Sequence, residues 1–227
     1  MTAIKICGIT NIEDACCAAA SGADAIGFIF HPPSPRYVTP GTVKKIIAEL
    51  PYAVITVGVF VNLDCTEVKR IMTLCGLDMV QLHGAESPAF CRQFPSAQVI
   101  KAIALRKEAD LAHVREYPIK AMLVDAFDPQ RHGGTGEKAD WALAAKVKKL
   151  HPLILAGGLS LANIREAIKA VSPDAVDINS GVEIAPGRKD HAQVKEIIEL
   201  VHSLRVHRTT IFNRSKAPSA AGGRGSG

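Results

Sequence analysis

Aromatic residues are scarce in this 227-residue chain, at 5% with a single tryptophan, and no stretch is apolar for long enough to cross a bilayer. Residues Ala3 to Cys7 read as a short apolar strand, not as a basic segment ahead of an apolar signal core, so no leader is expected. These absences point to a soluble cytoplasmic protein with no membrane partner. The six cysteines (Cys7, Cys16, Cys17, Cys65, Cys75 and Cys91) contain no C-x-x-C pair, and the chain is long enough to fold without covalent staples. Neither a disulfide framework nor a zinc site is expected. Cys16 and Cys17 fall in an alanine-rich helical stretch and are expected to pack in the core.

Acidic residues are missing from positions 205–227, which carry Arg205, Arg208, Arg214, Lys216 and Arg224. The formal charge of +5 therefore belongs to this tail, and residues 1–204 are balanced. The tail offers few aromatics to stack on bases, so no nucleic-acid partner is expected. Its Gly, Ser, Ala and Pro content cannot bury enough apolar area to offset ordering, and disorder is expected from about Ser215. The domain reading is one unit over 1–204 followed by a basic tail over 205–227.

What is present is a regular alternation. Eight apolar runs bounded by turn residues read as strands: Ile4–Cys7, Ala25–Phe30, Ala53–Phe60, Met79–Leu82, Val99–Ile103, Ala121–Val124, Leu153–Ala156 and Ala175–Ile178. Stretches of helical period lie between most of them, at Ile12–Ala20, Val43–Leu50, Val68–Cys75, Trp141–Leu150, Ile164–Val171 and Val194–Leu204. Nearly continuous apolar strands suit a parallel sheet covered by helices. Eight such units predict a single (β/α)₈ barrel, with an open doubly wound sheet as the alternative. Thr10 and Glu13 have capping-box spacing at the first helix, and Asn11 with Asp14 is a second possible start.

In such a barrel, chemistry collects on the rim made by the C-terminal strand ends. Cys7-Gly8, Arg36, Gln81-Leu82-His83-Gly84, Asp125, Gly157-Gly158 and Asn179-Ser180-Gly181 all fall there. Glycines after the seventh and eighth strands let backbone N–H groups approach a phosphate closely. Arg36 lies in the proline-stiffened loop His31-Pro32-Pro33-Ser34-Pro35-Arg36-Tyr37, and its planar fork suits a carboxylate. His83 can be a core histidine, a ligand or a substrate contact, but no second histidine stands at H-x-x-x-H spacing, so no metal site is expected. Gln81, His83 and Asp177, at or beside the same strand ends, are expected to bind substrate with Arg36.

Lys5-Ile6-Cys7-Gly8-Ile9-Thr10 resembles the opening signature of the phosphoribosylanthranilate isomerase family. The resemblance continues through Ser34-Pro35-Arg36-Tyr37, Val57-Gly58-Val59-Phe60-Val61-Asn62, Val80-Gln81-Leu82-His83-Gly84, Val124-Asp125, Gly133-Gly134-Thr135-Gly136, Leu155-Ala156-Gly157-Gly158-Leu159 and Asp177-Ile178-Asn179-Ser180-Gly181-Val182-Glu183. It implies a cofactor-free Amadori rearrangement of a small phosphorylated sugar–anthranilate, by a monomer or homodimer, in tryptophan biosynthesis. It assigns Cys7 as the base at ribose C2′, Asp125 as the acid at the ring oxygen and Arg36 to the anthranilate carboxylate. It assigns Gly157, Gly158, Ser180 and Gly181 to the phosphate. Asn179 departs from the pattern, since many relatives have serine there.

These roles make demands on the side chains. A free aspartic acid, with a pKa near 3.9, needs a shift of roughly three units, about 4 kcal/mol, to stay protonated at neutral pH. A free thiol near 8.5 is only a few per cent thiolate at about pH 7. Lys5, two residues from Cys7 on one strand face, either favours the thiolate or pairs with a barrel carboxylate such as Asp177. The related sugar isomerase of histidine biosynthesis is a rival that predicts aspartate at the end of the first strand. An inactive phosphate-binding barrel is another, but it has no need of both Cys7 and Asp125.

Overall fold

A computed structural model of the chain describes residues 2–51, 53–105, 108–125, 138–204 and 211–212. Eight parallel strands close into a barrel in sequence order: β1 (Ala3–Ile6), β2 (Ala25–Ile29), β3 (Ile55–Phe60), β4 (Met79–Leu82), β5 (Val99–Ile103), β6 (Ala121–Asp125), β7 (Leu153–Ala156) and β8 (Ala175–Ile178). Closure pairs β1 with β8, placing Lys5 opposite Asp177. Helices α1 (Ile12–Ala20), α2 (Pro40–Ala48), α3 (Cys65–Cys75), α4 (Pro88–Cys91), α5 (Lys138–Val147), α6 (Ile164–Val171) and α7 (His191–Ser203) follow the strands, with a 3-10 segment at Glu108–Glu116.

Apart from the buried polar residues Lys5, Thr56, Gln81, Lys101 and Asp177, the strands are apolar on both faces because each face meets a different core. Ile4, Ile6, Ile26, Phe28, Val80 and Leu82 face the helices, and Ala3, Ala25, Val57, Met79, Ala121 and Ala175 belong to a separate interior cluster. Alternation along each strand produces the two layers. Ile211 and Phe212 also pack against the interior cluster, and Ile211 is buried.

Three aspartates immediately before strands tie down the preceding strand. Asp24, Asp78 and Asp174 each accept, at 2.9 Å, a backbone N–H from Ile4, Thr56 and Leu153 respectively. These bonds satisfy donors at the strands' N-terminal ends, away from the rim. Helix starts follow capping rules: Thr39, Asp64 and Ser87 accept from the N–H three residues on, and Asp190 from the N–H groups of Ala192 and Gln193. At α1 the cap is Asn11, which accepts from the Asp14 N–H at 2.8 Å. The Thr10–Glu13 start is not used, because the Thr10 hydroxyl instead donates to the Gly187 carbonyl at 2.6 Å.

Element limits move by up to three residues from expectation, and additions appear among the described residues: α4, 3-10 segments at Ser96–Gln98, Glu108–Glu116 and Ser180–Val182, and strands β9 (Glu183–Ala185) and β10 (Arg188–Lys189), which form a small antiparallel pair. Cys16 and Cys17 are only half-buried, contrary to expectation. The buried face of α1 runs through Asp14, Ala15 and Ala18, and helical geometry turns positions 16 and 17 off it. Gly133-Gly134-Thr135-Gly136 lies outside the described residues.

Candidate active site

At the C-terminal strand ends a cavity of about 220 Å³ is lined by Cys7, Gln81, His83, Asp125, Gly157, Gly158, Asp177, Asn179, Ser180 and Gly181, with Ile29, Val59, Ala156 and Leu159 as apolar wall. Of the expected rim residues, Gly8, Arg36, Leu82 and Gly84 do not line it. Cys7 is held rigidly, since its N–H donates to the Ile178 carbonyl at 2.8 Å and so extends the β1–β8 ladder by one residue.

Below the cavity, Lys5 Nζ donates to Asp177 Oδ2 at 2.7 Å, and the ammonium is fully buried. Against the dehydration that opposes its charge, Asp177 and Cys7 hold the Lys5 ammonium above its ordinary value. The two possibilities for Lys5 are thus both realised: it pairs with the carboxylate and acts on the thiol. The net result at Cys7 is nevertheless opposite to activation. Burial pushes the thiol up and Asp177 adds to the rise, with Lys5 and Lys189 offsetting only part of it.

Across the cavity, Gln81 Nε2 lies 2.9 Å from His83 Nδ1, and His83 Nε2 lies 3.9 Å from Asp125 Oδ2. Burial lowers the His83 pKa, partly opposed by Asp125, so the imidazole is neutral at physiological pH. With Gln81 donating to Nδ1, the ring proton sits on the Asp125 side. The Asp125 carboxyl is 38% exposed, so the protein alone does not dehydrate it. Two buried acceptors, Gln81 Oε1 and Asp177 Oδ1, have no hydrogen-bond partner among the described residues. Desolvated acceptors of this kind are costly and call for an incoming donor.

Glycines shape one end of the cavity. Gly157 and Gly158 have φ values of +89° and +60°, a conformation that disfavours side chains, and a Cβ at Gly181 would run into the Leu159 carbonyl. Backbone therefore lines this end of the cavity without obstruction.

Arg36 lies just outside, with its stem over Gly8 and its guanidinium already engaged. Its Nε donates to Glu183 Oε1 and Oε2 at 2.9 and 3.1 Å, and its Nη2 to Oε2 at 2.6 Å. Glu183 also accepts from Lys189 Nζ at 2.9 Å, and Lys189 in turn reaches Asn179 Oδ1 at 3.1 Å. The side chain at position 179 is thus committed to Lys189. Neither Glu183 nor Lys189 stood out in the sequence as part of the site. Glu183 closes the last recognisable motif, a positional hint, while Lys189 gives none. Among the described residues no group of three or more His, Cys, Asp or Glu side chains is placed to hold a metal ion.

A family model described as N-(5′-phosphoribosyl)anthranilate (PRA) isomerase matches residues 4–200. The chain belongs to the N-(5′-phosphoribosyl)anthranilate isomerase family. The isomerase of Syntrophus aciditrophicus (strain SB) is 48% identical over 216 residues, covering 95% of this chain and 94% of that protein. A crystal structure of phosphoribosyl anthranilate isomerase in complex with reduced 1-(o-carboxyphenylamino)-1-deoxyribulose 5-phosphate is 40% identical, with a TM-score of 0.79, over 89% of this chain and all (100%) of that one. A structure described as monomers of the dimeric isomerase from Thermotoga maritima is 39% identical, with a TM-score of 0.77 over 89% of this chain and 100% of that one. The family is one of isomerases in tryptophan biosynthesis, and this chain is an isomerase with its barrel fold.

Proposed function

We propose that the rim cavity converts N-(5′-phosphoribosyl)anthranilate to 1-(2-carboxyphenylamino)-1-deoxy-D-ribulose 5-phosphate with Cys7 as base and Asp125 as acid. The observation that carries this reading is that both side chains line one cavity whose far end is the exposed backbone of Gly157-Gly158 and Ser180-Gly181. Asp125 gives its proton to the furanose oxygen as the C1′–O bond breaks, leaving an iminium at C1′. Cys7 takes the C2′ proton, and the resulting enolamine tautomerises to the ketose. One proton is given and one taken, so the chemistry asks for no cofactor.

The surrounding groups fit these steps. Gly157, Gly158, Ser180 and Gly181 hold the phosphate through backbone, Arg36 meets the anthranilate carboxylate, and Gln81 and Asp177 offer their partnerless oxygens to ribose hydroxyls. His83 stands between Gln81 and Asp125 and faces the leaving oxygen. Asp125 becomes a competent acid once substrate covers its exposed carboxyl and adds negative charge nearby. The substrate is a small molecule and the enzyme works in the cytoplasm as a monomer or homodimer. Among the described residues no helix is long and apolar enough to cross a membrane.

The test is to compare turnover with analogue binding in Cys7→Ser and Asp125→Asn. Each substitution is expected to lower kcat by about 10²-fold or more while affinity for a reduced product analogue stays within about three-fold. Near-normal kcat in either folded variant removes that residue from its role. Because burial raises the Cys7 thiol, kcat/KM of the wild type is expected to climb as pH rises into the alkaline range, where the base is freed.

A further inference from the structure

Arginine carries two forked edges, one formed by Nε with Nη2 and one by Nη1 with Nη2. In this protein the first is filled by Glu183 through bonds of 2.9, 3.1 and 2.6 Å. Glu183 is itself fixed: its side chain is 4% exposed, and Oε1 accepts from Lys189 Nζ at 2.9 Å and from the Gly187 N–H at 3.2 Å. Lys189 is anchored by the Asn179 carbonyl and side-chain oxygens at 3.1 Å each, and its own N–H donates to Asp14 at 2.9 Å. The β9–β10 pair thus delivers a rigid carboxylate to the stem side of Arg36.

Glu183 could occupy Arg36 in competition with a ligand, or it could aim Arg36 at one. The geometry favours aiming. The acceptor grips the Nε–Nη2 edge, which leaves the Nη1–Nη2 edge as the fork available to a second carboxylate. Arg36 and Lys189 also carry two positive charges against the single charge of Glu183, so the cluster retains one positive charge beside the cavity mouth. A guanidinium held this way loses less rotamer freedom when it binds, which is the usual gain from preorganisation.

We infer that Glu183 is a positioning residue, which locks the Arg36 guanidinium so that its outer edge selects a substrate carrying an aromatic carboxylate. This rests on the reading above that Arg36 meets the anthranilate carboxylate. Lys189 neutralises Glu183 from behind and keeps the carboxylate in place.

The experiment compares Glu183→Gln, Glu183→Asp, Arg36→Ala and the Arg36→Ala/Glu183→Gln pair by steady-state kinetics with N-(5′-phosphoribosyl)anthranilate, after thermal melting confirms folding. Glu183→Gln is expected to raise KM about ten-fold, with kcat within about three-fold, because a charge-assisted bond to the guanidinium is lost. Glu183→Asp keeps the charge and is expected to fall between the two; it also serves if Glu183→Gln does not fold. Inhibition by inorganic phosphate, which probes the glycine end alone, is expected to be unchanged. In the Arg36→Ala background, Glu183→Gln is expected to add nothing further. A lower KM in Glu183→Gln makes Glu183 a competitor and overturns the proposal, as does an unchanged KM alongside a raised KM in Arg36→Ala. An unchanged KM in Arg36→Ala overturns the carboxylate role of Arg36 itself, and the proposal with it.

Discussion

Three buried lysine–carboxylate pairs lie among the described residues, and the two whose lysines stand on barrel strands, Lys101–Glu86 and Lys5–Asp177, differ in how completely they are satisfied. Lys101 Nζ has Leu82 O, Gly84 O, Ala102 O and Glu86 Oε2 at 2.8 to 3.1 Å. Glu86 accepts in addition from the Asn62 and Gly84 N–H groups, and despite burial these bonds and Lys101 hold its carboxyl below the ordinary value. Lys5 and Asp177, by contrast, share a 2.7 Å bond, leave Asp177 Oδ1 without a partner among the described residues and press against a thiol that burial holds up. The first pair staples the loops after β3 and β4 to β5. The second stores an unmet demand for donors at the base of the cavity, which a protein retains where a ligand will meet it.

The largest effect expected from this contrast comes from replacing both partners of the cavity pair. Lys5→Met with Asp177→Leu removes two buried charges together, which often leaves stability near its starting point. Turnover is expected to drop by at least about 10³-fold, or about 4 kcal/mol of barrier, while the unfolding free energy changes by less than about 2 kcal/mol. Substantial activity in this variant would erase the distinction between the pairs.

Breaking the loop pair should do the reverse. Lys101→Met strands Glu86 as an uncompensated buried charge and is expected to cost about 3–5 kcal/mol in urea unfolding. The fraction that remains folded is expected to keep kcat within about three-fold, since Lys101 does not line the cavity. A stability loss below about 1 kcal/mol would show that the pair is structural in appearance only.

The smallest effect is a difference of sign with pH. Glu86 titrates below its ordinary 4.5 when folded, so its contribution is present above that pH and lost as pH falls through the folded value. Cys7 titrates above the ordinary thiol range when folded, so its contribution is present below that range and lost as pH rises through the folded value. Glu86→Gln is therefore expected to flatten the acid side of a Tm–pH curve, and Cys7→Ser the alkaline side. Glu183, also held low against burial by Arg36 and Lys189, keeps part of the acid dependence in the first variant. An exchange of the two effects would contradict the assignment of both groups.

The sequence by itself determined the barrel and the rim. Strands such as Met79–Leu82, Val99–Ile103 and Leu153–Ala156 were legible to the residue, because a strand buried on both faces is largely apolar, with Gln81 and Lys101 as the exceptions here, and so stands out from its polar surroundings. Cys7, Asp125 and the two glycine groups were legible as site candidates because each follows a strand end, and parallel strands bring all their C-terminal ends to one side. The β9–β10 pair was not legible, since strands of two and three residues are too short to show a period.

Only the tertiary structure decided who pairs with whom. Lys5 meets Asp177 across 172 positions and Arg36 meets Glu183 across 147, distances over which spacing carries no signal. Nothing local marked Asn11 over Thr10 as the cap of α1 until Thr10 was seen bonded to Gly187, 177 residues on. The direction of the Cys7 shift belongs to the same class: a nearby lysine is visible in the sequence, but the burial that outweighs it exists only once the barrel closes.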